Sequence, residues 1–329
     1  MADGLLDVVG IGNAIVDVLS QAEPEFLTAQ NLPPGSMNLI DDGRAATLYD
    51  LMGPGVEMSG GSAGNTMAGI ASFGGAGAFI GKVHDDALGQ VFTHDLRAAG
   101  VEFTTAPLSE GPATARCLVF VTPDAQRTMA TYLGACVELA PDDIDTSTIA
   151  RAKVTYLEGY LWDPPSAKDA FRKAIAIAHD AGRKVALSLS DPFCVDRYRD
   201  EFLELLEGDI DILFANESEI ISLYEVKYFD DALQKVRGHC EIAALTRGER
   251  GSMVMRGDEV HVVDATPVAD IVDSTGAGDL FAAGFLFGLT HGYELRMCGE
   301  LGCIAAAEII GHFGARPEHR LADLVPAAS

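Results

Sequence analysis

The chain has 329 residues, of which 48% are hydrophobic, and it carries 23 lysines and arginines against 49 aspartates and glutamates, a formal net charge of −26. Such an acid balance argues against nucleic acid or an anionic bilayer as partner, and the apolar content argues against dominant disorder. The length suits one large α/β domain, alone or with a small appendage.

The cysteines at 117, 136, 194, 240, 298 and 303 form no C-x-x-C pair. They are expected to be reduced and mostly buried, in a cytoplasmic protein. No basic stretch precedes the first apolar run, which Asp7 interrupts, so no signal peptide is expected, and no apolar run reaches the length of a membrane span.

Residues 7–20 read as a buried strand passing into a more exposed one, broken at Gly12-Asn13. A short strand at 37–40 and a helix from Asp42 follow, and a glycine cluster at 53–64 leads into a helix reaching Phe73. Residues 77–83 predict a strand and 85–99 an amphipathic helix closed by Gly100. Strands are expected at 101–103, 113–121 and 127–133, the last two joined at Pro123-Asp124. Strands at 154–157, 185–189, 210–214 and 242–246 then alternate with helices near 166–181, 197–207 and 217–237. That rhythm predicts βαβ units and a doubly wound, mostly parallel sheet flanked by helices. A hairpin around Gly257, two apolar helices at 277–290 and 294–312, and a loosely held tail after Pro317 complete the chain. Residues 13–56 and 101–135 lack the βαβ rhythm and predict a small β-sheet lid on a core made of 1–12, 57–100 and 136–329, the alternative being extra strands of the main sheet.

Chemistry concentrates in Asp273-Ser274-Thr275-Gly276-Ala277-Gly278-Asp279, which opens an apolar helix. Glycines there let backbone N–H groups converge at the positive end of a helix, an anion site. Asp279 in the first turn is a candidate base or merely a charge that complements the dipole. Gly60-Gly61-Ser62-Ala63-Gly64-Asn65 contains G-x-S-x-G, the nucleophile elbow of α/β-hydrolases, but the stretch before Ser62 makes a poor strand. Its other reading is a glycine turn that lets a polyol approach the backbone and Asn65. Asn13 and Asp17 fall at the end of an apolar strand, where open sheets bind ligands. Asn216 and Glu219 share a helix face suited to waters on Mg²⁺, and the same letters spell a capping box. Thr246, Gly248 and Gly251 lie in a turn after a strand, either a phosphate cradle or a plain loop. Walker, Rossmann and zinc-type patterns are all broken.

In order and spacing these motifs resemble the ribokinase/PfkB family of carbohydrate and nucleoside kinases, over about residues 6–315. Gly12-Asn13-Ala14-Ile15-Val16-Asp17-Val18 and Leu187-Ser188-Leu189-Ser190-Asp191-Pro192-Phe193 most resemble adenosine kinases and their bacterial relatives, and 303–314 resembles their adenine-flanking segment. The resemblance implies ATP and Mg²⁺ as cofactors, with K⁺ as a further candidate at Asp273 and Thr275. It makes Asp279 the base and the amides of Gly276, Ala277 and Gly278 the anion hole. Asn13, Asp17, Gly61 and Asn65 would hold the sugar, and Glu158 resembles a sugar ligand of ribokinase-like members. Asn216, Glu219, Thr246, Gly248 and Gly251 would serve ATP, with Glu219 reaching Mg²⁺ through water. The implied acceptor is a ribonucleoside, adenosine first, or else ribose, fructose or a ketodeoxysugar. A purine would want an apolar slot, for which Leu39, Leu133 and Phe193 are candidates. A hydrolase using Ser62 and a catalytically silent nucleotide-binding protein are the readings from other classes. Monomers and lid-to-lid homodimers both occur in the family.

Overall fold

The computed structural model describes residues 4–124 and 126–325. β1 (Leu6–Ile11) is buried at every position, as befits an apolar run inside a parallel sheet. The chain then changes sheet, because β2 (Ile15–Gln21) alternates buried and half-buried residues and needs two unlike faces. α1 (Pro24–Ala29), β3 (Met37–Leu39), α2 (Asp42–Leu51) and β4 (Gly55–Ser59) follow, with β4 antiparallel to β2. α3 (Ser62–Phe73) returns the chain to β5 (Gly77–Ile80), parallel to β1. α4 (Ala87–Ala98), N-capped by Asp86, leads to the short β6 (Glu102–Phe103). β7 (Ala115–Val121) and β8 (Arg127–Tyr132) pair antiparallel and complete a small sheet of order β3-β8-β7-β2-β4.

From α5 (Thr146–Arg151) onward strands and helices alternate. They are β9 (Ala152–Glu158), α6 (Pro165–Asp180), β10 (Lys184–Ser188), α7 (Pro192–Gly208) and β11 (Ile212–Asn216). α8 (Glu217–Leu223), α9 (Phe229–Val236) and β12 (Ile242–Thr246) continue the pattern. The antiparallel β13 (Ser252–Arg256) and β14 (Glu259–Val263) form one edge, and α10 (Ala277–Thr290) and α11 (Leu295–Ile310) pack on the core.

The large sheet runs β14-β13-β12-β11-β10-β9-β1-β5-β6 and is parallel from β12 to β6. Val8 joins the core formed with α3, α10 and α11 on one face, and Val9 and Ile11 join that of α6 and α7 on the other. The sheet grows to both sides of β1, and the crevice at the carboxyl ends of such strands is where open α/β sheets take ligands. The small sheet covers that crevice. Its outer face buries Val16, Val18, Leu118 and Phe120 against Leu27 of α1 and Leu48 of α2.

Four sequence expectations change. The helix expected over 217–237 is two, because Glu225 adopts φ 49°. A Schellman turn forms there, with the Val226 N–H donating to Ile221 O and the Glu225 N–H to Ser222 O. α7 starts at Pro192, before the expected 197, since Asp191 caps it and proline suits a first helical turn. Strand 55–59 belongs to the small sheet and 102–103 to the large one, so the lid boundaries at 57 and 101 move. The chain after Pro317 is held: Leu321 is fully buried and its N–H donates to Ser72 Oγ.

Candidate active site

α10 begins at a deliberate gap in its own capping. Its N-cap, Gly276, sits at φ 78° with no side-chain cap, and a Cβ there would lie 2.9 Å from Ala315 Cβ. Only glycine fits that position. Among the described residues the N–H groups of Gly276, Gly278 and Asp279 have no acceptor, while that of Ala277 makes one long bond, 3.3 Å, to Ser274 O. These donors converge at the positive end of a 14-residue helix.

Asp279 stands inside the first turn and α3 holds it. Ser62 Oγ donates to Oδ1 at 2.6 Å and Asn65 Nδ2 to Oδ2 at 2.9 Å. The two helices come this close because Gly69 has no side chain; a Cβ there would be 2.6 Å from Ala283 Cβ. Burial pushes the Asp279 carboxyl up from its ordinary value, opposed by the Ser62 and Asn65 bonds and by the Arg316 guanidinium.

One side of the cleft is built from β1, β2 and β9. Glu158, at the end of β9, accepts from the Asn13 side chain (2.7 Å), the Asn13 N–H (3.3 Å) and the Ala63 N–H (2.8 Å). Its carboxylate therefore positions Asn13 and the head of α3. Gly12 makes room for it, since a Cβ would come within 2.3 Å of Oε2. Asp17 occupies the inner face of the small sheet, and Gly60 and Gly61 let the chain pass beside Asp17 and the Asn13 carbonyl. Burial pushes Asp17 and Glu158 to about 7; Arg316 and Arg127 oppose it at Asp17, and the Ala63 and Asn13 hydrogen bonds oppose it at Glu158.

At the opposite end of the cleft, α8 carries the capping box. Asn216 Oδ1 accepts the Glu219 N–H at 2.9 Å, and Glu219 accepts both the Asn216 N–H and Nδ2. Burial also pushes Glu219 to about 7. Thr246 and Gly248 line the cleft. Gly251 does not; it is a joint with φ 75°, where a Cβ would strike Val263 O at 2.0 Å. Asp273 is buried, accepts the Thr275 N–H (3.0 Å) and the Gly314 N–H (3.2 Å), and is ion-paired with Arg127 of β8. Arg127 also donates to Thr275 Oγ1.

Asn13, Asp17, Gly61, Asn65, Glu158, Asn216, Glu219, Thr246, Gly248 and 274–279 all line one cleft of about 570 Å³, within the range of small-molecule sites. Two arginines escaped the sequence reading. Arg127 ties the small sheet to the glycine loop, and Arg316 donates to Ser59 O and Gly64 O at the hinge of β4 and α3. A lone arginine before Pro317 in so acidic a chain was the available signal. Among the described residues no helix is long and apolar enough to cross a membrane.

Comparison with known proteins decides the class. The pfkB family carbohydrate kinase profile matches residues 51–320. The chain belongs to the pfkB family. It is therefore a kinase, a phosphotransferase acting with ATP on a small-molecule acceptor. Adenosine kinase from Sinorhizobium meliloti superimposes with a TM-score of 0.92 at 55% identity, over 98% of each chain. A probable sugar kinase from Rhizobium etli matches with 0.92 at 51%, also over 98% of each. Adenosine kinase from Saccharomyces cerevisiae is 27% identical over 93% of this chain and 95% of its own. Membership in this kinase family overturns the hydrolase reading of Ser62; a strand, β4, does precede it, contrary to the sequence expectation, but the Ser62 hydroxyl donates to Asp279.

Proposed function

We propose that this pfkB kinase transfers the γ-phosphoryl group of ATP in line to the primary hydroxyl of a ribonucleoside, adenosine first. The observation that carries the reading is the uncapped head of α10 with Asp279 clamped beside it by Ser62 and Asn65. Asp279 takes the hydroxyl proton; its pKa, raised by burial, makes it a better acceptor than an exposed aspartate. The amides from Gly276 to Gly278 meet the charge that spreads over the moving phosphoryl oxygens, and losing one such donor typically costs about 3 kcal/mol. Asn13, Asp17, Gly61 and Asn65 hold the sugar, with Glu158 acting through Asn13. The small sheet keeps water from the phosphoryl group.

ATP with a divalent ion supplies the phosphoryl group and neutralises its charge. Glu219, a buried carboxylate lining the cleft at the head of α8, would hold the waters of a Mg²⁺ that neutralises the phosphates. Asp273 and Thr275 do not fit K⁺ as they stand, because the Arg127 guanidinium already occupies them.

A nucleoside suits the cleft better than ribose, fructose or a ketodeoxysugar. Ile15, Met37, Leu39, Met129 and Leu133 of the small sheet and its edge give the cleft an aliphatic wall that pairs with a flat base and not with hydroxyls. ATP consumption across a panel of nucleosides and free sugars tests this. Turnover with adenosine well above that with any free sugar is expected; the reverse order overturns the acceptor assignment.

A further inference from the structure

One ion pair lining the cleft stands outside the set of residues assigned above to phosphoryl transfer. Asp163 follows the single 3-10 turn after β9, Arg197 lies in the first turns of α7, and both line the same cleft as Asp279. Arg197 Nη1 donates to Asp163 Oδ1 at 2.8 Å, and the Tyr198 hydroxyl donates to that same oxygen. Phe193 supports the guanidinium from beneath, 4.6 Å from ring centroid to Arg197. That is where Phe193, expected to wall a purine, is found: off the cleft and under the arginine.

The hydrogen-bond arithmetic leaves capacity over. Among the described residues both bonds to Asp163 fall on Oδ1, so Oδ2 remains an open acceptor. Arg197 uses only Nη1, so its other N–H groups remain open donors. A fixed acceptor next to a fixed donor complements a ring edge that presents an amino group beside a ring nitrogen. The aliphatic wall and Tyr160, which also lines the cleft, are suited to the faces of such a ring.

Resting on the nucleoside reading above, we infer that Asp163 and Arg197 read the base edge of the acceptor. Asp163 Oδ2 accepts from an exocyclic amino group and Arg197 donates to a ring nitrogen, so the preferred acceptor is an aminopurine nucleoside. As a plain surface ion pair the two would add little to stability and nothing to selectivity.

The test compares adenosine with purine riboside, the same nucleoside lacking the 6-amino group, on the unaltered enzyme and its variants. Asp163→Ala should lower kcat/KM for adenosine about ten- to a hundredfold more than for purine riboside, the size of a lost hydrogen bond to a charged group, the shared part of the loss being that of the Arg197 anchor. Asp163→Asn, which keeps size and a neutral acceptor, should show a smaller loss with the same selectivity. Arg197→Met should weaken both nucleosides alike, since both retain the ring nitrogens. Purine riboside turnover also reports that each variant is folded. Equal losses with both nucleosides in the two Asp163 variants, or no loss with either, would overturn the inference. If the unaltered enzyme phosphorylates neither nucleoside, the nucleoside reading itself has failed and takes the inference with it.

Discussion

Two helices begin at the same cleft, α8 after β11 and α10 after the glycine loop, and their N-caps differ in kind. At α8 the Asn216 side chain accepts the Glu219 N–H, and Glu219 returns two bonds, so the N–H groups of Asn216 and Glu219 are satisfied within the capping box. At α10 the N-cap is a glycine in the left-handed region with no side chain to give, and the donors behind it stay open. A capping box takes two donors and places a carboxylate at the head, which disfavours an anion there. A head left bare can bind an anion directly, at the cost of about 1 kcal/mol of the stability that a cap would add. The same fold therefore holds one helix start closed by its own cap and one left open to an anion.

Substitutions can break that contrast. The largest effect is expected from Asp279→Asn, which removes the proton acceptor beside the bare head: kcat should fall at least about a thousandfold, with ATP affinity nearly unchanged in direct binding. Gly276→Ala comes next. Its Cβ is excluded both by φ 78° and by Ala315, so the loop must shift and kcat should drop about a hundredfold. Ser62→Ala should cost about tenfold at neutral pH. It removes a bond that holds the Asp279 pKa down, so the acid limb of the kcat/KM profile should move to higher pH. An unmoved limb would mean that Ser62 does not act through Asp279.

At α8 the balance should invert. Asn216→Ala removes the cap and should lower stability to denaturant by about 1 kcal/mol, with a smaller effect on kcat than any change at α10. The smallest effect is on the resting protein. Asp17, Glu158 and Glu219 are all pushed to about 7, so the folded chain holds protons that the unfolded chain releases near 4. Stability from this source is full at low pH and is lost as pH rises to about 7. Asp17→Asn should accordingly raise the melting temperature more at pH 8 than at pH 5, while disabling the enzyme.

Much of this was legible in the residues. Buried strands announced themselves as apolar runs, and the glycines of 276–278 with Asp279 marked the bare head before any coordinates. The missed features depend on distance or on an exception. Glu225 ends α8 in a conformation that glycine or asparagine usually takes, so no local letter warned of the break. Asp191-Pro192 does mark the start of α7, a capping residue followed by a proline suited to the first turn. The grip of Ser62 on Asp279 spans 217 residues and that of Arg316 on Gly64 spans 252, and spacing along the chain cannot show such contacts. Glu158, read as a sugar ligand from its place after a core strand and from the family resemblance, also accepts from Asn13 and Ala63, contacts that sequence spacing cannot show.

A crystal structure with adenosine and the non-transferable analogue β,γ-methylene-ATP tests the central claim most directly. The account predicts the terminal phosphonate oxygens within about 3.2 Å of the N–H groups at Gly276 to Gly278, and the 5′-hydroxyl at hydrogen-bond distance from Asp279. A terminal phosphorus seated on the head of α8 instead, or a hydroxyl remote from Asp279, would contradict it.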